Sequence, residues 1–341
     1  MIRPQLRLPA EWEEQKATWL VWPHNVFNWG HKLSNIRDYY FRLISILLKH
    51  QDVHLLISDE QQQIFFSGQA YQNLNRTSTK IHFHNILTNT IWIRDFGPFF
   101  RANNSIFITG FNSWGKKFQP WNLDSQVAQQ ILQLVSNRNL AGFQSTSHSQ
   151  TNLIFEGGAL EVNGQGIGLT TATCLDDLNR NSRFKISQLK SKLQTEFGIH
   201  HLIILPDGLK GDHTDGHIDN FARFISPTIL LLVVPSDPHD PNFEGMMLNY
   251  LILRKQLPEI EIQIIPPVPP QNTDDTIIPR SYANFIFVNG ALIYPSYHDP
   301  ISELTFRSIL EKHLPNREII GVPSELLISE GGSLHCMTKN Q

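Results

Sequence analysis

Five polar residues punctuate this chain at nearly even intervals, each beside a short apolar run. Asp95, Glu156, Asp219, Asn284 and Cys336 are separated by 61, 63, 65 and 52 residues. Between them, β-branched and aromatic runs alternate with stretches of helical periodicity. The pattern predicts strands at 18–22, 53–57, 91–93, 106–109, 153–155, 168–171, 202–204, 229–233, 285–288 and 291–294. It predicts helices at 34–50, 125–135, 181–197, 243–256 and 301–313, so each of the four gaps holds one helix. A repeat of about 60 residues with strands and a helix in every unit suggests a propeller-like ring of ββαβ units. Any chain of alternating strands and helices offers some regular interval, so the spacing is a pointer and not a proof.

Length bears on the same question. A chain of 341 residues suggests two or three domains, but a closed repeat absorbs that many in one. A single catalytic domain over 1–341 is therefore expected. Two proline-containing stretches read as loops, 235–242 and 264–271, the second carrying Pro266, Pro267, Pro269 and Pro270.

Composition excludes several classes. Hydrophobic residues make up 40% and charged residues 17%, which is a globular balance and not a disordered one. The net charge of −3, without a long Lys/Arg run, argues against a nucleic-acid partner. The apolar stretch 17–23 is too short to span a membrane, and 1–13 lacks the apolar run of a signal peptide. A cytoplasmic protein with no membrane partner is expected. Two cysteines in so long a chain make no disulfide framework and no Cys-x-x-Cys metal pair, which fits a reducing compartment. Any thiol chemistry thus has two candidates. Cys174, in Leu-Thr-Thr-Ala-Thr-Cys-Leu, reads as an inert core thiol.

Cys336 reads differently. It lies in Glu330-Gly-Gly-Ser-Leu-His-Cys-Met-Thr, where the glycines permit close backbone approach. A nucleophilic cysteine needs a base from elsewhere in the fold. On a strand, neighbouring side chains face opposite ways, so His335 is expected to be structural and not the partner of Cys336. His217 is the best base. It lies in Gly211-Asp-His-Thr-Asp-Gly-His-Ile-Asp-Asn, and strand geometry would put His217 and Asp219 on one face. The bland alternatives are a solvated loop, or a metal site built from His213, Asp215, His217 and Asp219. Gly211 and Gly216 break the helix that a His-x-x-x-His metal pair would use. Asp95, in Ile91-Trp-Ile-Arg-Asp-Phe-Gly-Pro, is expected at a strand mouth beside an apolar wall from Trp92, the alternative being a surface ion pair with Arg94. Glu156, in Ile154-Phe-Glu-Gly-Gly-Ala, echoes Glu330-Gly-Gly and is otherwise an ordinary strand-end acid.

One reaction uses all of these groups. A guanidinium is planar, cationic and unreactive. Carboxylates grip its N–H groups and hold both charge and orientation. A thiolate then attacks the central carbon. A histidine gives the leaving amine its proton and later takes one from water. A papain-like acyl hydrolase would instead want an oxyanion hole and one orienting Asn or Asp.

The motifs also resemble a known family. Leu8-Pro-Ala-Glu-Trp-Glu, Thr18-Trp-Leu-Val-Trp-Pro-His-Asn, Trp92-Ile-Arg-Asp-Phe-Gly-Pro, Phe155-Glu-Gly-Gly-Ala and Leu178-Asn-Arg-Asn are similar to motifs of the agmatine deiminases and bacterial-type peptidyl-arginine deiminases. Asp215-Gly-His-Ile-Asp-Asn, Ser281-Tyr-Ala-Asn-Phe and Gly331-Gly-Ser-Leu-His-Cys complete the set in order along the whole chain. The resemblance implies an α/β five-bladed pseudo-symmetric ββαβ propeller, the pentein fold, with the site on its axis. It implies that Cys336 forms a covalent amidino-thioether and that His217 is the general acid/base. Asp95 and Asp219 would hold the guanidinium, Glu156 would support it and His217, and Trp92 would line the channel. The reaction implied is agmatine plus water to N-carbamoylputrescine plus ammonia, on the way to putrescine. No metal or organic cofactor is implied, and a homo-oligomer is compatible with the family. One position departs. The family segment usually carries an acid four residues before the catalytic histidine, resembling a site for the far amine of agmatine, and here that position is His213. Asp212 or Asp215 would then stand in, or the substrate is peptidyl-arginine or another guanidine. Amidino transfer and a non-catalytic guanidine-binding propeller are the remaining alternatives.

Overall fold

The apolar runs form strands, and one connectivity recurs five times. The computed structural model describes residues 6–68, 71–74, 79–138, 148–272 and 277–341. The first sheet holds β1 (Ala17–Val21), β2 (Asp52–Leu56) and β3 (Ile81–His84), with helix α1 (Leu33–Leu47) crossing from β1 to β2. The second holds β4 (Phe99–Phe100), β5 (Ile106–Gly110) and β6 (His148–Ile154), with α2 (Asp124–Arg138) as the crossover. The third holds β7 (Glu161–Val162), β8 (Ile167–Thr171) and β9 (His201–Leu205) with α3 (Ile186–Phe197). The fourth holds β10 (Ala222–Ser226), β11 (Ile229–Val233) and β12 (Glu261–Ile265) with α4 (Phe243–Gln256). A two-stranded ribbon, β13 (Val268–Asn272) and β14 (Ile277–Arg280), precedes the fifth. That sheet holds β15 (Ile286–Val288), β16 (Ala291–Ser296) and β17 (Glu318–Pro323) with α5 (Pro300–His313).

In sheets two to five a short strand pairs antiparallel with the middle strand, which crosses through the helix to a parallel partner. A parallel pair needs such a crossover, and the helices supply it. The first sheet draws its antiparallel strand from the far end of the chain: β18 (Lys339–Asn340) pairs with β1. The middle strands are almost continuously apolar because both faces are covered. All of β1 is buried, as is Leu230–Val233 of β11. Helix α1 turns Ile36, Tyr39, Tyr40, Leu43, Ile44 and Leu47 inward at helical spacing. Each such side chain contributes about 1.5–3 kcal/mol by leaving water. Helix α5 starts where Asp299 accepts from the Ser302 N–H and Pro300 takes the first turn.

The structure corrects several predicted boundaries. Residues 91–93 are not a strand, since Ile93–Phe96 forms one helical turn. The helix expected over 181–197 is divided into a turn at Leu178–Asn181 and α3. The loop expected over 264–271 contains the end of β12 and part of β13, where prolines are tolerated because the ribbon has only two strands. Among the described residues no helix is long and apolar enough to cross a membrane.

Candidate active site

Each of the five punctuating residues lies just before the short antiparallel strand of a sheet: Asp95 before β4, Glu156 before β7, Asp219 before β10, Asn284 before β15 and Cys336 before β18. They sit on turns, not on strands. His217 caps a 3₁₀ turn at Ile218–Asn220 and Asp219 lies within it, so strand alternation does not explain their pairing. Asp212 does. Its Oδ1 accepts from Thr214 N (2.9 Å) and Thr214 Oγ1 (2.6 Å). Its Oδ2 accepts from Gly216 N (3.2 Å), His217 N (2.9 Å) and Asn220 Nδ2 (3.2 Å). This carboxylate is spent on shaping the loop, and it does not line the cavity described below.

His217, Asp219 and Asp95 close around Gly158. A Cβ there would lie 2.5 Å from His217 Nδ1, 2.8 Å from Asp219 Oδ2 and 3.1 Å from Asp95 Oδ1, so only hydrogen fits. The Gly158 N–H donates to Asp95 Oδ1 at 2.9 Å, and Trp114 Nε1 donates to Oδ2 at 2.9 Å. His217 Nδ1 stands 3.8 Å from Asp95 Oδ1. Asp95 and Arg94 are both buried, which sets aside the surface ion pair. Arg94 instead donates to His335 O at 3.0 Å and Asn340 Oδ1 at 2.9 Å. Burial raises the Asp95 pKa, and His217 opposes this while Asp219 and Glu156 add to it.

Asp219 Oδ2 meets His335 Nδ1 at 2.7 Å, and His335 Nε2 meets Glu11 Oε2 at 2.9 Å. Burial works against the Asp219 charge, but the His335 bond and the nearby cations more than offset it, and its pKa falls. Carboxylates on both ring nitrogens favour the doubly protonated His335, while burial and the Arg223 and Arg94 charges pull its pKa down. Glu156 Oε1 accepts from Arg180 Nε at 2.8 Å inside the protein. Arg180 also binds Asp177, Asp215 and the Thr214 carbonyl, tying the turn before α3 to the His217 loop.

Cys336 is buried, with Asn284 Nδ2 donating to its sulfur at 3.3 Å. Burial, then Asp219 and Asp95, push its pKa well up, so the thiol rests protonated. Cys174 is a core thiol packed with Phe155 and Leu175, its pKa likewise pushed up by burial. A cavity of about 380 Å³ reaches Cys336 and Asp95 and is walled by Trp29, Trp92, Trp114 and Phe118, with His213 and Glu330 also lining it. A Cβ at Gly332 would lie 2.5 Å from the Trp92 ring, so glycine lets that wall close on the thiol segment. Ser113, Trp114 and Lys116 all hold positive φ, a strained turn that aims Trp114 at Asp95.

Among the described residues, four buried polar atoms in this region find no protein partner: both ring nitrogens of His217, Glu156 Oε2 and Asp219 Oδ1. Buried polar atoms are rarely left so. Sequence reasoning had no role for Trp114, Arg180, Asn284 or Glu11. Asn284 carried a signal, its place in the interval, and Glu11 and Arg180 lie in quoted motifs. Trp114 carried none.

A chain with this α/β fold and a thiol, a histidine and buried carboxylates gathered at one cavity end is of the guanidine-modifying class. It belongs to the Porphyromonas-type peptidyl-arginine deiminase family, whose profile matches residues 7–341. It is 29% identical to the agmatine deiminase of Pseudomonas fluorescens (strain SBW25), over 98% of this chain and 95% of that one. The agmatine deiminase of Pseudomonas putida (strain KT2440) gives the same figures. A C. jejuni agmatine deiminase variant solved with substrate bound superposes with a TM-score of 0.85 at 30% identity, over 98% of this chain and 96% of that one. An Enterococcus faecalis agmatine deiminase shares the fold, with a TM-score of 0.85 at 23% identity, over 100% of this chain and 98% of that one.

Proposed function

We propose that this protein is an agmatine deiminase, a single catalytic domain over 1–341 whose five ββαβ units close into a pentein propeller around the site. The observation that carries the reading is the set of unpartnered acceptors, Glu156 Oε2 and Asp219 Oδ1, beside Asp95, Cys336 and His217. A guanidinium offers planar N–H donors in a fixed fork and the positive charge these carboxylates lack. Asp95 and Asp219 hold it, and Glu156 supports it from the Arg180 side.

The cation also activates the nucleophile. Burial and two anions hold the thiol protonated, and a positive charge beside it favours the thiolate. With the cation bound the thiol proton passes to solvent, the sulfur attacks the guanidinium carbon and a C–S bond forms. The C–N bond to the terminal amine breaks, and His217 gives that amine a proton as ammonia leaves. Water then adds to the amidino-thioether carbon and His217 takes one of its protons; the C–S bond breaks as the remaining hydroxyl proton passes to the sulfur, which returns the thiol and releases the ureido product. Each half-reaction needs His217 in the opposite protonation state, which is the work of a general acid/base.

The test is incubation of purified protein with agmatine, with ammonia and N-carbamoylputrescine measured and the protein mass followed under rapid quench. An amidino adduct on Cys336, and loss of about 10³-fold or more in kcat for Cys336→Ala, are expected. Turnover of arginine or a peptidyl-arginine but not agmatine would move the substrate. Full activity in Cys336→Ala would remove the covalent mechanism.

A further inference from the structure

A guanidine carrying a second positive charge must place it somewhere along the cavity. The cavity-lining side chains include two carboxylates, Asp95 and Glu330. Asp95 is committed to the reacting end, beside His217 and Gly158. The 212–215 loop supplies no free acid. Both Asp212 oxygens bind loop donors, and Asp215 is tied to Lys117 and Arg180. His213 does line the cavity, with its ring packed on the thiol segment: a Cβ on Gly331 would lie 2.6 Å from His213 Nδ1. The next residue in that segment is Glu330.

We propose that Glu330 receives the far cationic end of the substrate and makes the site select a dicationic guanidine over a monocationic one. The assignment rests on the deiminase reading above and goes beyond it, naming the residue that sets substrate class. Glu330 is held by a neighbour that can release it. Lys32 Nζ lies 3.3 Å from Glu330 Oε1 and donates to Ser329 Oγ at 3.0 Å. Both side chains are partly exposed, 34% for Lys32 and 25% for Glu330, and an ion pair so placed is worth little. An incoming ammonium therefore meets a charge that is oriented but not locked. Between the two ends, Trp29, Trp92, Trp114 and Phe118 offer apolar faces to a methylene chain and π-faces to a cation.

The experiment compares kcat/KM for agmatine and for N-butylguanidine, which keeps the guanidine and chain but lacks the amine. In Glu330→Gln the agmatine-to-butylguanidine ratio is expected to fall about tenfold or more, through a rise in the agmatine KM. Lys32→Gln breaks the same ion pair but keeps the carboxylate and removes a competing cation. It is expected to lower the agmatine KM. An unchanged ratio in Glu330→Gln would overturn the assignment while leaving deiminase chemistry standing. A raised agmatine KM in Lys32→Gln would show that the pair acts as structure, and would overturn it too. Wild-type protein inactive on both compounds would remove the deiminase reading and this inference together.

Discussion

The surroundings of Cys336 hold its thiol in the protonated form. Burial dominates, and Asp219 and Asp95 add to it, so its pKa lies well above an ordinary thiol's. A raised pKa means less thiolate at neutral pH, and removing an anion lowers that pKa again. Site-resolved alkylation by iodoacetamide, followed by mass spectrometry, should therefore be slow at Cys336 near pH 7 and rise only beyond the ordinary thiol range. In Asp95→Asn the profile should move to lower pH. Rapid alkylation of wild-type Cys336 at neutral pH would contradict this. That Cys336, His217, Asp95 and Asp219 belong together was legible in the sequence, because a thiol, a histidine and acids beside glycines fit one chemistry, and the structure brings them near one another. Their geometry was not. Strand alternation was the wrong ruler for His217 and Asp219, since five hydrogen bonds to Asp212 fold that loop. His335 was expected to be structural, but nothing local in sequence placed it between Asp219 and Glu11, a residue more than 300 positions away.

At the scale of elements, the helices were legible and the two-residue strands were not. Five long amphipathic segments carry enough periodicity to be read, whereas β4, β7 and β18 have two residues each and exist only because a neighbour pairs with them. Asp95, Glu156 and Cys336 lie just before these three strands. The join between α2 and the cavity lip makes the same point. Asp124, at the start of α2, accepts from Asn89 N at 2.7 Å and from Thr90 N and Oγ1 at 3.2 and 2.8 Å. Asn89 and Thr90 line the cavity. Burial raises the Asp124 pKa to about 7 against these donors, so its charge is costly and the net gain is less than three free bonds would give. Asp124→Ala should lower stability by about 1–3 kcal/mol at pH 7, read by denaturant unfolding. It should also raise the substrate KM by loosening the lip. A variant with wild-type stability and KM would show that Asp124 holds neither.

Across the whole molecule, the even spacing was a stronger signal than it deserved to be on its own, because it reflects five sheets of one connectivity with one of the five punctuating residues at the same loop of each. The feature that spacing could not reveal is how the first sheet is completed. Its antiparallel strand comes from the other end of the chain, so first and last units share a seam: Lys16 N donates to Gln341 O at 2.6 Å, Gln341 N to Ala17 O at 3.0 Å and Trp19 Nε1 to Gln341 Oε1 at 2.7 Å. Lys339 is buried at the same seam, its Nζ 4.1 Å from the Phe99 ring centroid and donating to Arg94 O at 3.2 Å. Burial, then the Arg94 charge, push its pKa well down against the opposing pull of Asp95 and Glu11. Cys336 lies three residues before Lys339, so the thiol is close along the chain to the closing strand. Removing residues 339–341 deletes these four hydrogen bonds, the Arg94 Nη1 bond to Asn340 Oδ1, the β1–β18 pairing and the ring contact, about 3–8 kcal/mol from the five named bonds alone. If the seam positions the thiol, kcat should fall in the truncated protein even at temperatures where circular dichroism shows it folded, while Asp124→Ala, at a distant join, should lose affinity first. Truncated protein that is folded and turns over at the wild-type rate would separate the closing strand from the site, and would mean that the Asn284 contact to the sulfur suffices to place it.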